Sequence, residues 1–238
     1  RLKIEKVDQL IRDKTGILLD PYFSASKFKW LLQNEQQLKN RVKNKNLRLG
    51  GTDTYVINRL TNGEVYATDR GTASRTSLLN IRNGQWDQEL TDAFGIDKNT
   101  LPNLYKTIDD YGKINHPAIP VSSIRITADV VDAHAALFAH GCFDNNRIKA
   151  TYGTGAFIEI NTGNKMLEPD GLLPIFVAWE LDNGIEYSIE GGVFSVGSAV
   201  DWLVKNNFLN EVNSSSDLIE KIKSDNSVFM VPSFTGLS

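Results

Sequence analysis

Thr151-Tyr152-Gly153-Thr154-Gly155 stands between two apolar runs, Arg147 to Thr151 and Ala156 to Asn161, and reads as the turn of a hairpin. Two glycines around a threonine let backbone N–H groups and one hydroxyl converge on a point. Such a concavity binds anions, phosphate above all. The same letters also spell an ordinary hairpin turn. Their weight comes from Asp132, a short span upstream at an expected helix start. A carboxylate there can accept a proton from a substrate hydroxyl, and a phosphate cradle beside a base is what phosphoryl transfer to an alcohol needs. Asp129 fits that role equally well by spacing, and either acid also fits a plain first-turn residue or N-cap.

Other residues divide between chemistry and packing. Gly191-Gly192 and Gly197 lead into a helix, where glycine permits either phosphate approach to the N-terminal amides or close helix–sheet packing. Neither G-x-x-x-x-G-K-[ST] nor a helix-opening G-x-G-x-x-G occurs. His116, His134 and His140 lack the i, i+4 spacing of a helical zinc pair, so no metal set is expected; His134, two residues past Asp132, can still face a site. The single cysteine, Cys142, excludes an internal disulfide framework and reads as a small buried residue. Tyr22 precedes a helix, where its phenol can reach a polyol hydroxyl, while Trp30 reads as core and Lys27 as a lysine laid along apolar surface.

These residues need a scaffold, and the chain has material for one. Its 238 residues are 41% hydrophobic and 23% charged, as in ordinary globular proteins. A net charge of -3 with interspersed signs argues against nucleic acid or an anionic membrane surface as partner. No apolar run reaches spanning length, no signal peptide opens the chain, and a reducing cytoplasm is expected. The chain opens on Arg1 rather than Met, so material is expected ahead of it.

Apolar spacing predicts helices over Ile4 to Lys14, Ser24 to Leu32, Gln36 to Lys43, Thr54 to Leu60 (capped by Thr52-Asp53), Gln88 to Phe94, Val130 to Phe138, Gly197 to Val204 and Ser216 to Ser224 (capped by Ser216-Asp217). Strands are predicted over Ser123 to Ala128, over the hairpin at Gly153, over Phe176 to Leu181 and Ile185 to Ile189 around Asp182-Asn183-Gly184, and over Val228 to Val231. Helices first, then hairpins alternating with helices, indicate α/β or α+β with mixed sheets, and Gly141 marks the expected domain boundary.

Tyr22-Phe23-Ser24-Ala25-Ser26-Lys27-Phe28-Lys29-Trp30-Leu31-Leu32-Gln33-Asn34 resembles the first signature of the FGGY carbohydrate kinases. Gly51-Thr52-Asp53-Thr54-Tyr55, Thr68-Asp69 with Ala73-Ser74-Arg75-Thr76, Thr151 to Gly155, and Phe234-Thr235-Gly236-Leu237 agree in order along nearly the whole chain. The resemblance implies an actin/ribonuclease H-like ATPase fold, with residues 1–141 completing a substrate-side domain and 142–238 beginning a nucleotide-side domain. It implies transfer of phosphate from ATP with Mg²⁺ to a primary alcohol of glycerol or a related polyol or sugar, with homo-oligomers possible. Asp132, before Ala135 to Phe138, matches the family's general base. Tyr22 and Phe157 match acceptor contacts; Thr154, Gly155 and Gly197 match phosphate contacts, and Asp201 falls beside the nucleotide.

Two departures matter. Family members that act on glycerol usually read Gly-Asp-Gln-Gln at the base, whereas this chain reads Val131-Asp132-Ala133-His134. Losing a hydrogen-bonding side chain beside the base shifts acceptor preference, which brings xylulose, ribulose and gluconate into consideration. The family's opening Asp-x-Gly-Thr hairpin, its second signature and its Gly-rich adenosine loop are also missing from this chain. It therefore corresponds to about the middle half of such a kinase and is expected neither to fold stably nor to catalyse alone, which leaves a non-catalytic fragment or binding protein as the alternative.

Overall fold

The computed structural model describes residues 4–43, 46–120, 124–144, 147–169, 173–221 and 230–234. Four helices open the chain: α1 (Ile4–Thr15), α2 (Ser24–Asn34), α3 (Gln36–Lys43) and α4 (Thr52–Leu60). Strand β1 (Ala67–Asp69), helix α5 (Arg70–Ser74), strands β2 (Leu79–Asn80) and β3 (Gln85–Trp86), helix α6 (Gln88–Phe94) and strand β4 (Asn103–Tyr105) follow. The rest comprises α7 (Asp132–Ala139), β5 (Ile148–Tyr152), β6 (Ala156–Gly163), β7 (Ile175–Leu181), β8 (Gly184–Val193), α8 (Gly197–Lys205) and α9 (Ser214–Lys221).

The chain divides into two compact units, one of Arg1–Ile148 with Ile160–Glu190, the other of Lys149–Glu159 with Gly191–Ser238. The boundary expected at Gly141 lies a few residues ahead of the first crossover. The return of Ile160–Glu190 to the first unit has no counterpart in the sequence reading.

In the first unit, β1 and β4 pair in parallel, β2 and β3 antiparallel, and β7 and β8 antiparallel, with β6 on the far side of β8. The turn from Leu181 to Gly184 is the predicted tight hairpin, and Gly184 takes φ +107, open to glycine at little cost. An irregularity between Val177 and Trp179 lets β7 bury five successive side chains, Ile175 to Trp179. Its outer edge is covered rather than bare. Val177 N–H donates to Ser74 Oγ, and Glu180 N–H donates to Thr107 Oγ1. Helix α5 comes this close because Gly71 has no side chain: a Cβ there would stand 3.3 Å from Val177 O.

The main core joins Ile11, Ile17, Phe23, Leu78, Leu90, Phe94 and Phe176. Each fully buried side chain of this size contributes about 1.5–3 kcal/mol. Helix α6 has the predicted bounds, since the Asp87 carboxylate accepts from Glu89 and Leu90 N–H at its start and Gly95 turns left-handed at its end.

Several expectations fail locally. Thr52 and Asp53 fall inside α4, whose N-cap is Gly51 with no side-chain cap bond. Helix α7 begins at Asp132, not Val130. Over 124–128 the chain forms only isolated bridges, Ile108 with Ala128 and Lys113 with Arg125. Helix α9 starts at Ser214, so Ser216 and Asp217 lie within it. Helix α5 was not foreseen, being too short for a periodic pattern. Trp30 is 58% exposed instead of buried. The strand expected over Val228 to Val231 falls mostly outside the described residues. Among the described residues no helix is long and apolar enough to cross a membrane.

In the second unit, β5 and β6 are neighbours and α8 follows the end of β8. Lys149 Nζ and Glu159 Oε1, 3.3 Å apart, form a buried ion pair between the two strands.

Candidate active site

Asp132 is the first residue of α7, where exposed amides favour a carboxylate. Its Oδ1 accepts from Ala133 N–H at 2.7 Å, and the side chain is exposed. It lines a cavity of about 490 Å³ in the first unit. The walls come from Ser24 and Phe28 of α2, Leu49 to Thr54, Thr68, the stretch holding Thr72, Ala73, Arg75 and Thr76, Trp86, Leu101-Pro102, and Val130 to Asp132. Three segments that carry the sequence resemblance thus converge on the cavity that Asp132 lines. Hydroxyls, two carboxylates (Asp53 and Asp132) and one guanidinium share this hollow with aromatic and aliphatic walls. That mixture suits a small hydroxyl-bearing molecule, whose oxygens need donors and acceptors while its carbons need apolar contact.

Arg75 is fixed from two sides. Its Nη1 and Nη2 each donate to Glu190 Oε2 at 3.1 Å, and the guanidinium carbon lies 4.0 Å from the Phe176 ring centroid. Spacing left Asp129 and Asp132 level, and the geometry separates them. Asp129 Oδ2 accepts Asp69 N–H at 3.1 Å. Burial, then the negative charges of Asp69 and Asp53, push its carboxyl up to about 7. Asp69 is itself buried and takes Gly71 N–H, Thr72 N–H and the Thr107 hydroxyl, while burial raises its carboxyl. Asp129 and Asp69 therefore tie the scaffold together, and of Asp129 and Asp132 it is Asp132 that lines the cavity. His134 does not face the site. It is fully buried, with Nε2 3.1 Å from Ser188 Oγ. Tyr22 is 62% exposed and is not among the lining residues, although it stands two positions before Ser24, which is. Lys27 Nζ donates to Tyr22 O at 2.6 Å and lies 5.8 Å from its ring centroid.

The second unit gathers the remaining candidates. Val196 N–H donates to Thr154 O at 2.8 Å and Gly197 N–H donates to Gly153 O at 3.1 Å, so the hairpin is tied to the first turn of α8. Neither Gly153 nor Gly155 takes a positive φ. Glycine is needed here for close approach instead: a Cβ on Gly197 would meet Gly153 O at 2.6 Å, and one on Gly155 would meet Val193 O at 2.7 Å. Thr154 and Asp201 are exposed, Asp201 one turn into α8. Phe157 packs edge-on against Phe194 at 6.1 Å, over Gly192, whose missing side chain leaves room for the ring.

Residues 1–139 match the FGGY family of carbohydrate kinases, N-terminal domain. The chain belongs to that family. Curated relatives include the glycerol kinase of Geobacillus sp. (strain WCH70), 39% identical over 239 residues, covering 100% of this chain and 48% of the relative. The glycerol kinase of Halothermothrix orenii is 38% identical over 237 residues, covering 99% and 48%. The FGGY chain thus spans about half the length of the curated relatives it matches. Among solved structures, Plasmodium falciparum glycerol kinase with ADP superposes with TM-score 0.87 at 31% identity, over 93% of this chain and 46% of that one. A xylulose kinase from Rhodospirillum rubrum, 16% identical with TM-score 0.80, shares the fold. The architecture is the mixed α/β actin/ribonuclease H-like ATPase fold of the FGGY kinases.

Sequence reasoning named Asp132 but not its neighbours in the cavity. The segments around Asp53 and Arg75 were legible as family stretches, yet nothing in their composition announced Arg75's grip on Glu190, a residue 115 positions away.

Proposed function

We propose that this chain is part of an ATP-dependent phosphotransferase that phosphorylates a primary alcohol of glycerol or a related polyol or sugar. The observation that carries the reading is Asp132, an exposed carboxylate at a helix start, lining a hydroxyl-rich cavity. Asp132 takes the proton from the acceptor hydroxyl as that oxygen attacks the terminal phosphorus, and its contribution comes from position more than basicity. The family resemblance assigns acceptor contacts to Tyr22 and Phe157, neither of which lines the cavity around Asp132. Thr154, Gly155 and Gly197 hold the nucleotide phosphates, with Asp201 beside the nucleotide. The close approaches that only glycine allows at Gly155 and Gly197 support a cradle of bare backbone there. Mg²⁺ would arrive with ATP and offset phosphate charge. Among the described residues no cluster of His, Cys, Asp and Glu is arranged to hold a metal ion. We assign residues 1–141 to the substrate side and 142–238 to the nucleotide side of a cytoplasmic enzyme, with Ile160–Glu190 packed in the first compact unit.

The acceptor's identity turns on the position after the base. Ala133 offers no side-chain hydrogen bond, and His134 is committed to Ser188. The test is coupled ADP release with glycerol, xylulose, ribulose and gluconate as separate acceptors, using a protein of the relatives' length that contains this chain. Asp132→Ala should lower turnover with the preferred acceptor by about 10² or more. Near-parental turnover would remove Asp132 from this role.

A further inference from the structure

The buried His134 has no part in the proposed chemistry, yet it sits two residues from the proposed base. Its Nε2 lies 3.1 Å from Ser188 Oγ, and both residues are fully buried. Ser188 lies on β8 two positions before Glu190, so both side chains stand on one face of that strand. Glu190 holds Arg75 of the cavity wall. Phe176, which pairs with Ser188 across the strands, completes the set. Its ring centroid lies 6.4 Å from the His134 ring and 4.0 Å from the Arg75 guanidinium carbon.

One strand face therefore grips two elements, helix α7 through Ser188 and the chain after α5 through Glu190. Each element carries a charged residue of the same cavity, Asp132 on the first and Arg75 on the second. A buried imidazole–hydroxyl pair is a poor source of raw stability, because both groups give up water to meet. It does fix direction, since the bond tolerates little rotation or sliding of the helix that bears it.

We propose that His134 and Ser188 are positioning residues, whose hydrogen bond sets the first turn of α7 so that Asp132 is held at a fixed place relative to Arg75. This rests on the reading of Asp132 as the base. A displaced base leaves acceptor and nucleotide affinity largely intact and lowers the rate of transfer, because proton removal depends on sub-ångström placement.

The experiment compares Ser188→Ala, His134→Leu, His134→Gln and Asp132→Ala in a kinase of the relatives' length containing this chain, by ADP release and by thermal unfolding. Ser188→Ala should lower kcat about tenfold, with KM for acceptor and ATP within about twofold, and should lower the unfolding midpoint by only a few degrees, the cost of one buried hydrogen bond. His134→Leu should show a similar loss of kcat, and the double variant Ser188→Ala/His134→Leu should be no worse than either alone, as for one shared bond. His134→Gln, whose amide can reach Ser188, should recover most of the rate. Unchanged kcat in Ser188→Ala would overturn the inference. So would a parallel fall in kcat, affinity and midpoint, which is the pattern of a merely structural pair. Either result alongside an inactive Asp132→Ala would leave the functional reading standing, whereas an active Asp132→Ala would take both down.

Discussion

Asp129 gives the sharpest quantitative expectation. Its carboxyl is pushed from an ordinary 3.8 up to about 7, chiefly by burial, then by the charges of Asp69 and Asp53, while the Asp69 N–H acts in the opposite direction. Asp53 lies on α4, Asp69 at the junction of β1 and α5, and the buried Tyr111 phenol, raised by burial and by these acids, lies within their influence. A carboxyl raised by folding stays protonated in the folded chain where the unfolded chain has already ionised. Between about pH 4 and 7, folding therefore takes up a proton, and stability falls as pH rises through that window, levelling off above about 7. Three pH units at about 1.4 kcal/mol each give a ceiling of about 4 kcal/mol. Asp129 is only half-buried and shares the displacement with two other acids, so a loss of about 2 kcal/mol is expected. Asp129→Asn keeps a carbonyl for Asp69 N–H and presents an amide toward Asp53, with nothing left to titrate. Urea unfolding across about pH 4.5 to 8, followed by tryptophan fluorescence, should show the parent losing about 2 kcal/mol relative to the variant toward high pH. Superimposable pH profiles for parent and variant would refute the reasoning.

Two further perturbations probe the second unit. Gly197→Ala places a methyl group 2.6 Å from Gly153 O, so the hairpin or α8 must shift. A loss of about 1–3 kcal/mol is expected in chemical denaturation, together with weaker nucleotide binding by calorimetry. Lys149→Met removes the cation of the buried Lys149–Glu159 ion pair and should destabilise by about 3–5 kcal/mol. Chemical-denaturation midpoints of parent and variant check the size.

The sequence by itself determined a good deal. Apolar periodicity and end signals set α1, α2, α3 and α6 to within a residue or two, because those signals act within a few residues of where they are written. The hairpin at Asp182-Asn183-Gly184 was legible for the same reason, and so was Asp132 as a candidate base, since its type and its place before an alanine-rich helix lie in one stretch of chain. Tertiary structure alone decided the rest. Asp129 and Asp132 carry the same group three residues apart, and only the approach of Asp69 N–H turned one inward and left the other lining the cavity. Trp30 looks like core by composition but lies on the outward face of α2. Arg75 meets Glu190 and His134 meets Ser188 only because β8 packs against elements far away in the chain. Side-chain periodicity reports which face of an element is apolar. It carries no information on which distant element will cover that face, and that pairing makes the cavity.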